Sequence, residues 1–167
     1  MRTSGLLPLL RSRQQGDLLA LLYLHPNKEY SLTEAADAIS ASVKTVHHEV
    51  NRLEQAGIVR TRRIGNVRLV RAATDTPLAR PLTDLLAVTY GPGSVLGELL
   101  SDLAGVEEAY IYGSWAARHA GDPGPVPNDV DVIVVGTIDP DLSDELARAA
   151  EAALRRPVNI TRVSADA

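Results

Sequence analysis

The chain has no cysteine and no phenylalanine, and only one tryptophan and one methionine in 167 residues. Without cysteine there is neither a disulfide framework nor a thiolate metal site. With aromatics at 4%, the core has to be built from Leu, Val, Ile and Ala. Long apolar runs are missing too, since none reaches the roughly 18 residues that a bilayer-crossing helix needs. The run Gly5–Leu10 is followed directly by Arg11 and Arg13, which is too short for the apolar centre of a leader. These absences point to a cytoplasmic protein with no membrane partner. An excess of positive charge is also missing. The formal net charge is −4, which alone argues against a nucleic-acid partner.

The distribution of charge points the other way. Between Ser42 and Ala73 stand seven bases (Lys44, Arg52, Arg60, Arg62, Arg63, Arg68 and Arg71) against Glu49 and Glu54. That is a local balance of +5, leaving −9 for the remainder. From Ser101 to Ala167 there are twelve acids and five bases, a balance of −7. Such asymmetry is expected of two modules with different partners.

Leu18, Leu21 and Leu22 recur at i, i+3 and i+4, so residues 14–24 read as an amphipathic helix. It ends at His25-Pro26, because proline disfavours helix at the residue before it. Ser31 and Glu34 form a capping box for a second helix with Leu32, Ala35, Ala36 and Ile39 on one face. Ser42 is a good cap for a third helix that runs to Gly57, a left-handed stop. On that helix Val43, Val46, Val50 and Leu53 are expected to face inward. Lys44, His47, His48 and Asn51 share the opposite side, and such short and basic donors suit a DNA major groove. Ile58–Arg63 and Val67–Arg71 then read as a basic hairpin turned at Gly65-Asn66. The paired histidines do not read as a metal site, since adjacent residues on a helix do not face each other.

Helix, capped helix, short turn, polar-faced helix and basic hairpin, in that order, resemble the winged helix-turn-helix of bacterial ArsR- and MarR-like repressors. Leu53-Glu-Gln-Ala-Gly-Ile-Val59 resembles the way those modules leave the recognition helix and enter the wing. The resemblance implies that Ser42, Lys44, Thr45, His47, His48 and Asn51 face bases or nearby phosphates of double-stranded DNA. It implies backbone or minor-groove contacts for Arg60, Arg62, Arg63 and Arg68. A winged helix used only for protein contacts is the alternative, and the arginine-rich wing favours phosphate.

After Pro77 two helices are expected, one beginning near Pro81 and one capped by Ser94 after Gly91-Pro-Gly93. They either pack under the carboxyl-terminal half or mediate a homodimer.

Val106–Tyr112 reads as a strand, Gly113-Ser114 as a turn into a short helix through Arg118, and Asp129-Val-Asp131 as part of a further strand. A long helix from Asp141 to Arg156, apolar at Leu142, Leu146, Ala149, Ala150, Ala153 and Leu154, and a strand 157–163 complete the chain. This order, with the Gly-Ser turn and Asp-x-Asp, resembles the minimal nucleotidyltransferases of the DNA polymerase beta superfamily. The resemblance implies that Gly113, Ser114 and Arg118 bind a nucleoside triphosphate. It also implies that Asp129 and Asp131 hold Mg²⁺ as metal ligands and, in an active enzyme, as catalytic residues. Two departures stand out. The interval 121–128 is long and proline-rich, and the position of the third carboxylate holds Asn159. An amide cannot accept a proton at neutral pH, and losing a general base commonly costs about 10²–10⁴-fold in rate. Asp122 would substitute only if its loop folded inward. Trp115 and Tyr112 either stack on a base or fill the core.

The expected architecture is therefore an α+β or α/β two-domain chain. A winged helix at 11–75 and linker helices at 76–105 precede a small nucleotidyltransferase-like mixed sheet with helices at 106–167. The expected function is a dimeric DNA-binding transcriptional regulator whose second domain binds Mg-nucleotide with weak or no transfer. The alternatives are an active transferase acting on protein or RNA, and the antitoxin of a toxin–antitoxin pair with a toxin partner. Val163–Ala167 reads as the start of a further capped helix.

Overall fold

A computed structural model describes residues 9–101 and 103–164. Most of the run Gly5–Leu10, and the last three residues of the helix start expected at Val163–Ala167, lie outside the described residues. Backbone contacts divide the chain into two compact units, Met1–Thr89 and Tyr90–Ala167. No helix among the described residues is long and apolar enough to cross a membrane.

The first unit begins with α1 (Arg13–Tyr23), whose N-cap Ser12 accepts from the Gln15 backbone. An amphipathic helix was expected, yet residues 18–23 of α1 are all buried. The run Leu18–Leu24 is continuously apolar, so its periodicity cannot separate a one-sided helix from one covered on most sides. β1 (Tyr30–Ser31) leads into α2 (Leu32–Ala38) through the capping box of Ser31 and Glu34, with both reciprocal hydrogen bonds present. α3 (Val43–Gln55) is capped by Ser42, whose Oγ accepts the Thr45 N–H at 3.1 Å. Its stop is a Schellman motif. Gly57 sits at φ +71, its N–H donates to Glu54, and the Ile58 N–H donates to Leu53. Val46, Val50 and Leu53 are buried, but Val43 is 45% exposed. Val43 is the first residue of α3, one turn ahead of its buried positions, so the inward face starts at Val46.

β2 (Val59–Ile64) and β3 (Val67–Ala72) form the hairpin, and β1 pairs with β3 to give an antiparallel sheet in the order β1-β3-β2. The two-residue turn places Gly65 at φ +56 with Asn66 at ordinary φ, the pattern of a type II′ turn. Tyr23 ties α1 to the sheet by donating to the Ile58 carbonyl at 2.6 Å. The element order and strand pairing are those of a winged helix. α4 (Ala79–Tyr90) closes this unit, apart from its last residue.

The second unit starts with α5 (Pro92–Leu100). Ser94 was expected to cap it, but Gly91 is the N-cap and Ser94 lies in the first turn. Proline presets φ at the first helical position, so the break between α4 and α5 shrinks to a single glycine. β4 (Val106–Tyr112), α6 (Gly113–His119), β5 (Val130–Gly136), α7 (Pro140–Leu154) and β6 (Val158–Val163) complete the unit. The sheet order is β4-β5-β6, antiparallel between β4 and β5 and parallel between β5 and β6, so the sheet is mixed. Val130, Val132 and Val134 alternate onto one face and form the core with Leu96, Ala150, Leu154 and Val158. The inward stripe of α7 is Ser143, Leu146, Ala150 and Leu154. Leu142, Ala149 and Ala153 are exposed, contrary to expectation. An alanine-rich helix offers two adjacent stripes of similar apolarity, and packing chooses the one with Leu146 and Leu154 near its centre.

Candidate nucleic-acid interface and acidic cleft

Cross-strand partners in the first unit share a face of the hairpin. Val59 with Ala72, Thr61 with Val70, and Arg63 with Arg68 form the face toward α3. Arg60 with Arg71 and Arg62 with Leu69 form the other. The arginines of the wing are therefore divided between two sides.

On the α3 side, Arg68 reaches across to the helix. It donates to Asn51 Oδ1 at 2.6 Å and pairs with Glu54 at 2.7 Å, and Glu54 also accepts from the Thr61 hydroxyl. Only 14% of the Arg68 side chain is exposed. Asn51 is thus engaged with the wing, and its amide lies 3.4 Å from His47 Nδ1. Asn51 and Arg68 thus serve as struts between helix and wing. Lys44 and Arg63 are exposed and have no hydrogen-bond or ion-pair partner among the described residues. His47 and His48 are also exposed, with their rings edge to face at 6.1 Å. Ser42 and Thr45 bind each other at 2.8 Å at the start of α3.

On the far side, each arginine already has a carboxylate. Arg60 Nη2 meets both oxygens of Asp75, at 2.8 and 2.6 Å. Arg62 Nε meets both oxygens of Glu29, at 2.9 and 2.8 Å, and Arg71 approaches Glu29 at 3.7 Å. Arginines placed opposite each other, as Arg60 and Arg71 are, repel, and these acids relieve that repulsion. The Arg62 guanidinium holds the Glu29 carboxyl below its ordinary range, and Arg60 does the same for Asp75. Charge counting over 42–73 missed both acids. The window 28–75 holds eight bases and six acids, a balance of +2. The structure thus leaves Lys44, His48 and Arg63 without a hydrogen-bond or ion-pair partner among the described residues, ties His47 to Asn51, and turns Arg60 and Arg62 to the other face of the hairpin.

The second unit brings Asp129, Asp131 and Asn159 together. Asp131 lies on β5 directly beside Asn159 on β6 and Tyr112 on β4. Asp129 precedes the strand instead of lying on it. The Asn159 amide nitrogen is 2.9 Å from Asp131 Oδ1 and 3.2 Å from Asp129 Oδ2. Gly113 is required at the head of α6. Its φ is +68, and a Cβ there would lie 2.7 Å from Asp131 Oδ2. A cleft of about 500 Å³ opens beside this group, lined by Ser114, Arg118, Asn128, Asp129 and Asn159, with prolines 125, 127 and 157 and Val126. Asp131 is not part of the lining.

Arg118 is less available than expected. Its Nη1 donates to the carbonyls of Asp122 and Pro123, at 2.7 and 2.6 Å. Its Nε is buried without a hydrogen-bond partner. Gly124 leaves the space the guanidinium occupies, since a Cβ there would fall 2.5 Å from Arg118 Cζ. Arg118 therefore pins the proline-rich loop. Arg156 pins its far end by donating to the Pro127 carbonyl at 3.0 Å, while its guanidinium lies 4.6 Å from the Trp115 ring centroid. Trp115 packs against the valine core, which makes it a packing residue. Tyr112 is 39% exposed on β4. Among the described residues no three acidic or histidine side chains gather as a metal-holding group, so Asp122 does not join Asp129 and Asp131.

No protein-family model and no curated protein matches the chain. Solved structures with partial likeness include the three that follow. Reduced HlyU from Vibrio cholerae is 18% identical, with 50% of this chain and 82% of that chain covered at a TM-score of 0.41. The heme sensor protein PefR from Streptococcus agalactiae, in complex with heme, is 20% identical, with 55% and 60% covered at 0.39. The transcriptional regulator BldR from Sulfolobus solfataricus is 22% identical, with 61% and 70% covered at 0.44.

Proposed function

We propose that the chain is a DNA-binding transcriptional regulator that reads double-stranded DNA with α3 and the tip of its wing. The observation that carries this reading is that Lys44, His48 and Arg63 are exposed with no hydrogen-bond or ion-pair partner among the described residues, on the side where Arg68 joins the wing to the helix and the exposed His47 meets Asn51. Lys44 and Arg63 are suited to phosphates, and the imidazoles to base edges or phosphates. The far-side arginines, held by Glu29 and Asp75, contribute less than their number implies. Reading two half-sites calls for a homodimer. Mobility shifts on the DNA upstream of the protein's own gene test the proposal. A sequence-selective shift lost on Lys44→Ala with Arg63→Ala supports it, and absence of any selective shift overturns it.

A second reading concerns the cleft, and the convergence of Asp129, Asp131, Asn159 and Gly113 favours it. In this reading the cleft takes a nucleoside triphosphate as the signal for the regulator or, in an enzyme, as the group donor. Ser114 offers a hydroxyl on the cleft wall, whereas Arg118 has to leave the loop carbonyls to reach a phosphate. Mg²⁺ fits poorly as the side chains stand, because the amide nitrogen of Asn159, not an oxygen, faces the two carboxylates. Incubation with labelled nucleoside triphosphates and protein or RNA acceptors tests transfer. Labelling abolished by Asp129→Ala would establish an enzyme.

A further inference from the structure

Asp129 and Asp131 converge on a single nitrogen, the Asn159 amide, at 3.2 and 2.9 Å. An amide NH₂ carries two protons, so one group serves both carboxylates at once. The other oxygen of Asp131 faces the backbone of Gly113, where even a methyl group would lie 2.7 Å away. Paired carboxylates around a shared centre are the setting in which a divalent cation collects oxygen ligands. Mg²⁺ needs those oxygens at about 2.0–2.1 Å, whereas the gap here fits a hydrogen-bond donor. An entering cation has to break both bonds to Asn159 and turn its amide over before the carbonyl oxygen can join the two carboxylates. No third acid or histidine gathers there among the described residues.

We propose that Asn159 is a resident stand-in for the cation. Its amide bridges Asp129 and Asp131, holds them together without charge repulsion driving them apart, and keeps the cleft from loading a divalent metal. Ligands of the cleft therefore meet a metal-free site. The same position governs the outcome, because an aspartate there would complete a set of three anionic oxygen donors and carries no NH₂ to compete for them. The inference draws on the nucleotide reading only for the expectation that a metal belongs between these residues.

Manganese titration of the full chain tests this, with free Mn²⁺ followed by electron paramagnetic resonance and no nucleotide present. Three chains are compared after thermal unfolding has confirmed that each folds: wild type, Asn159→Ala and Asn159→Asp. Wild type is expected to show no saturable binding below about 1 mM, the weak end of oxygen-ligand sites. Asn159→Ala is expected to bind more tightly, because the competing donor is gone and the two carboxylates repel. Asn159→Asp is expected to bind at least about tenfold more tightly than wild type, through its added anionic ligand. Wild-type binding equal to that of Asn159→Asp overturns the proposal, and so does Asn159→Ala binding no tighter than wild type. Should Asn159→Ala fail to fold, saturable wild-type binding below about 1 mM still overturns the proposal. A parallel titration with metal-free ATP separates the two ideas. No nucleotide binding removes the nucleotide reading and leaves the manganese comparison standing.

Discussion

Arg63 and Arg68 face each other across the wing, yet alanine at each should fail in a different assay. Arg68 has 14% of its side chain exposed and joins the wing to α3 through Asn51 and Glu54. A hydrogen bond involving a charged group contributes about 1.5–3 kcal/mol when shielded from water. Glu54 is 40% exposed, so screening reduces that pair to about 0–1 kcal/mol. Allowing for the exposed rim of the network, Arg68→Ala should cost the first unit about 1–3 kcal/mol. Arg63 is exposed and unpaired among the described residues, so Arg63→Ala should change stability by no more than about 0.5 kcal/mol. Toward DNA the order reverses. Losing one phosphate contact lowers the slope of log affinity against log salt by about 0.9. At moderate salt that corresponds to roughly a 2–10-fold loss of affinity. Urea denaturation followed by circular dichroism gives the stabilities, and fluorescence anisotropy at several salt concentrations gives the slopes. An unchanged salt slope for Arg63→Ala, or wild-type stability for Arg68→Ala, refutes the assignment.

Three other substitutions each isolate one residue. Ser42→Ala removes the acceptor of the Thr45 N–H and should cost about 1 kcal/mol, read as a lower urea midpoint. Gly113→Ala combines a left-handed φ of +68 with a Cβ 2.7 Å from Asp131 Oδ2. It should destabilise the second unit by about 1–3 kcal/mol, and the emission of Trp115, which lies in that unit, reports the transition. The Ser31 backbone N–H, and then its hydroxyl, hold the Glu34 carboxyl below its ordinary value of 4.5. Because the folded value is the lower one, this contribution is present above about pH 4.5 and is lost as pH falls through the folded value. Glu34→Gln should therefore flatten the acid limb of thermal stability, and an unchanged limb would contradict the capping box.

Local features of this chain were legible because short-range chemistry decides them. Ser31 with Glu34, Ser42, Gly57 and the Gly65-Asn66 turn each carry their own cap or turn chemistry, and each stands where it was expected. Val43 was misplaced because periodicity says nothing about where along a helix packing begins. The partners of the wing were hidden by distance in sequence. Glu29 meets Arg62 only because Tyr30 pairs with Val70, forty residues on in the chain, on the strand whose other neighbour carries Arg62. Asn159 was legible as a departure from a carboxylate pattern. Its role as a bridge depends on the parallel register of β5 and β6, which no local signal encodes. The engagement of Arg118 was likewise invisible. Its carbonyl partners belong to an irregular loop whose shape depends on Gly124 leaving room for the guanidinium.

Sequence-selective binding by the full chain decides whether α3 reads DNA. Anisotropy titrations would compare the DNA upstream of its own gene with a scrambled duplex of equal composition, at physiological salt. A preference of at least about 10³-fold is expected. It should collapse when Lys44, His47 and His48 become alanine but survive Arg60→Ala. Equal affinity for the two duplexes, or a preference untouched by the α3 substitutions and abolished by Arg60→Ala, would contradict the assignment of α3 as the reading helix.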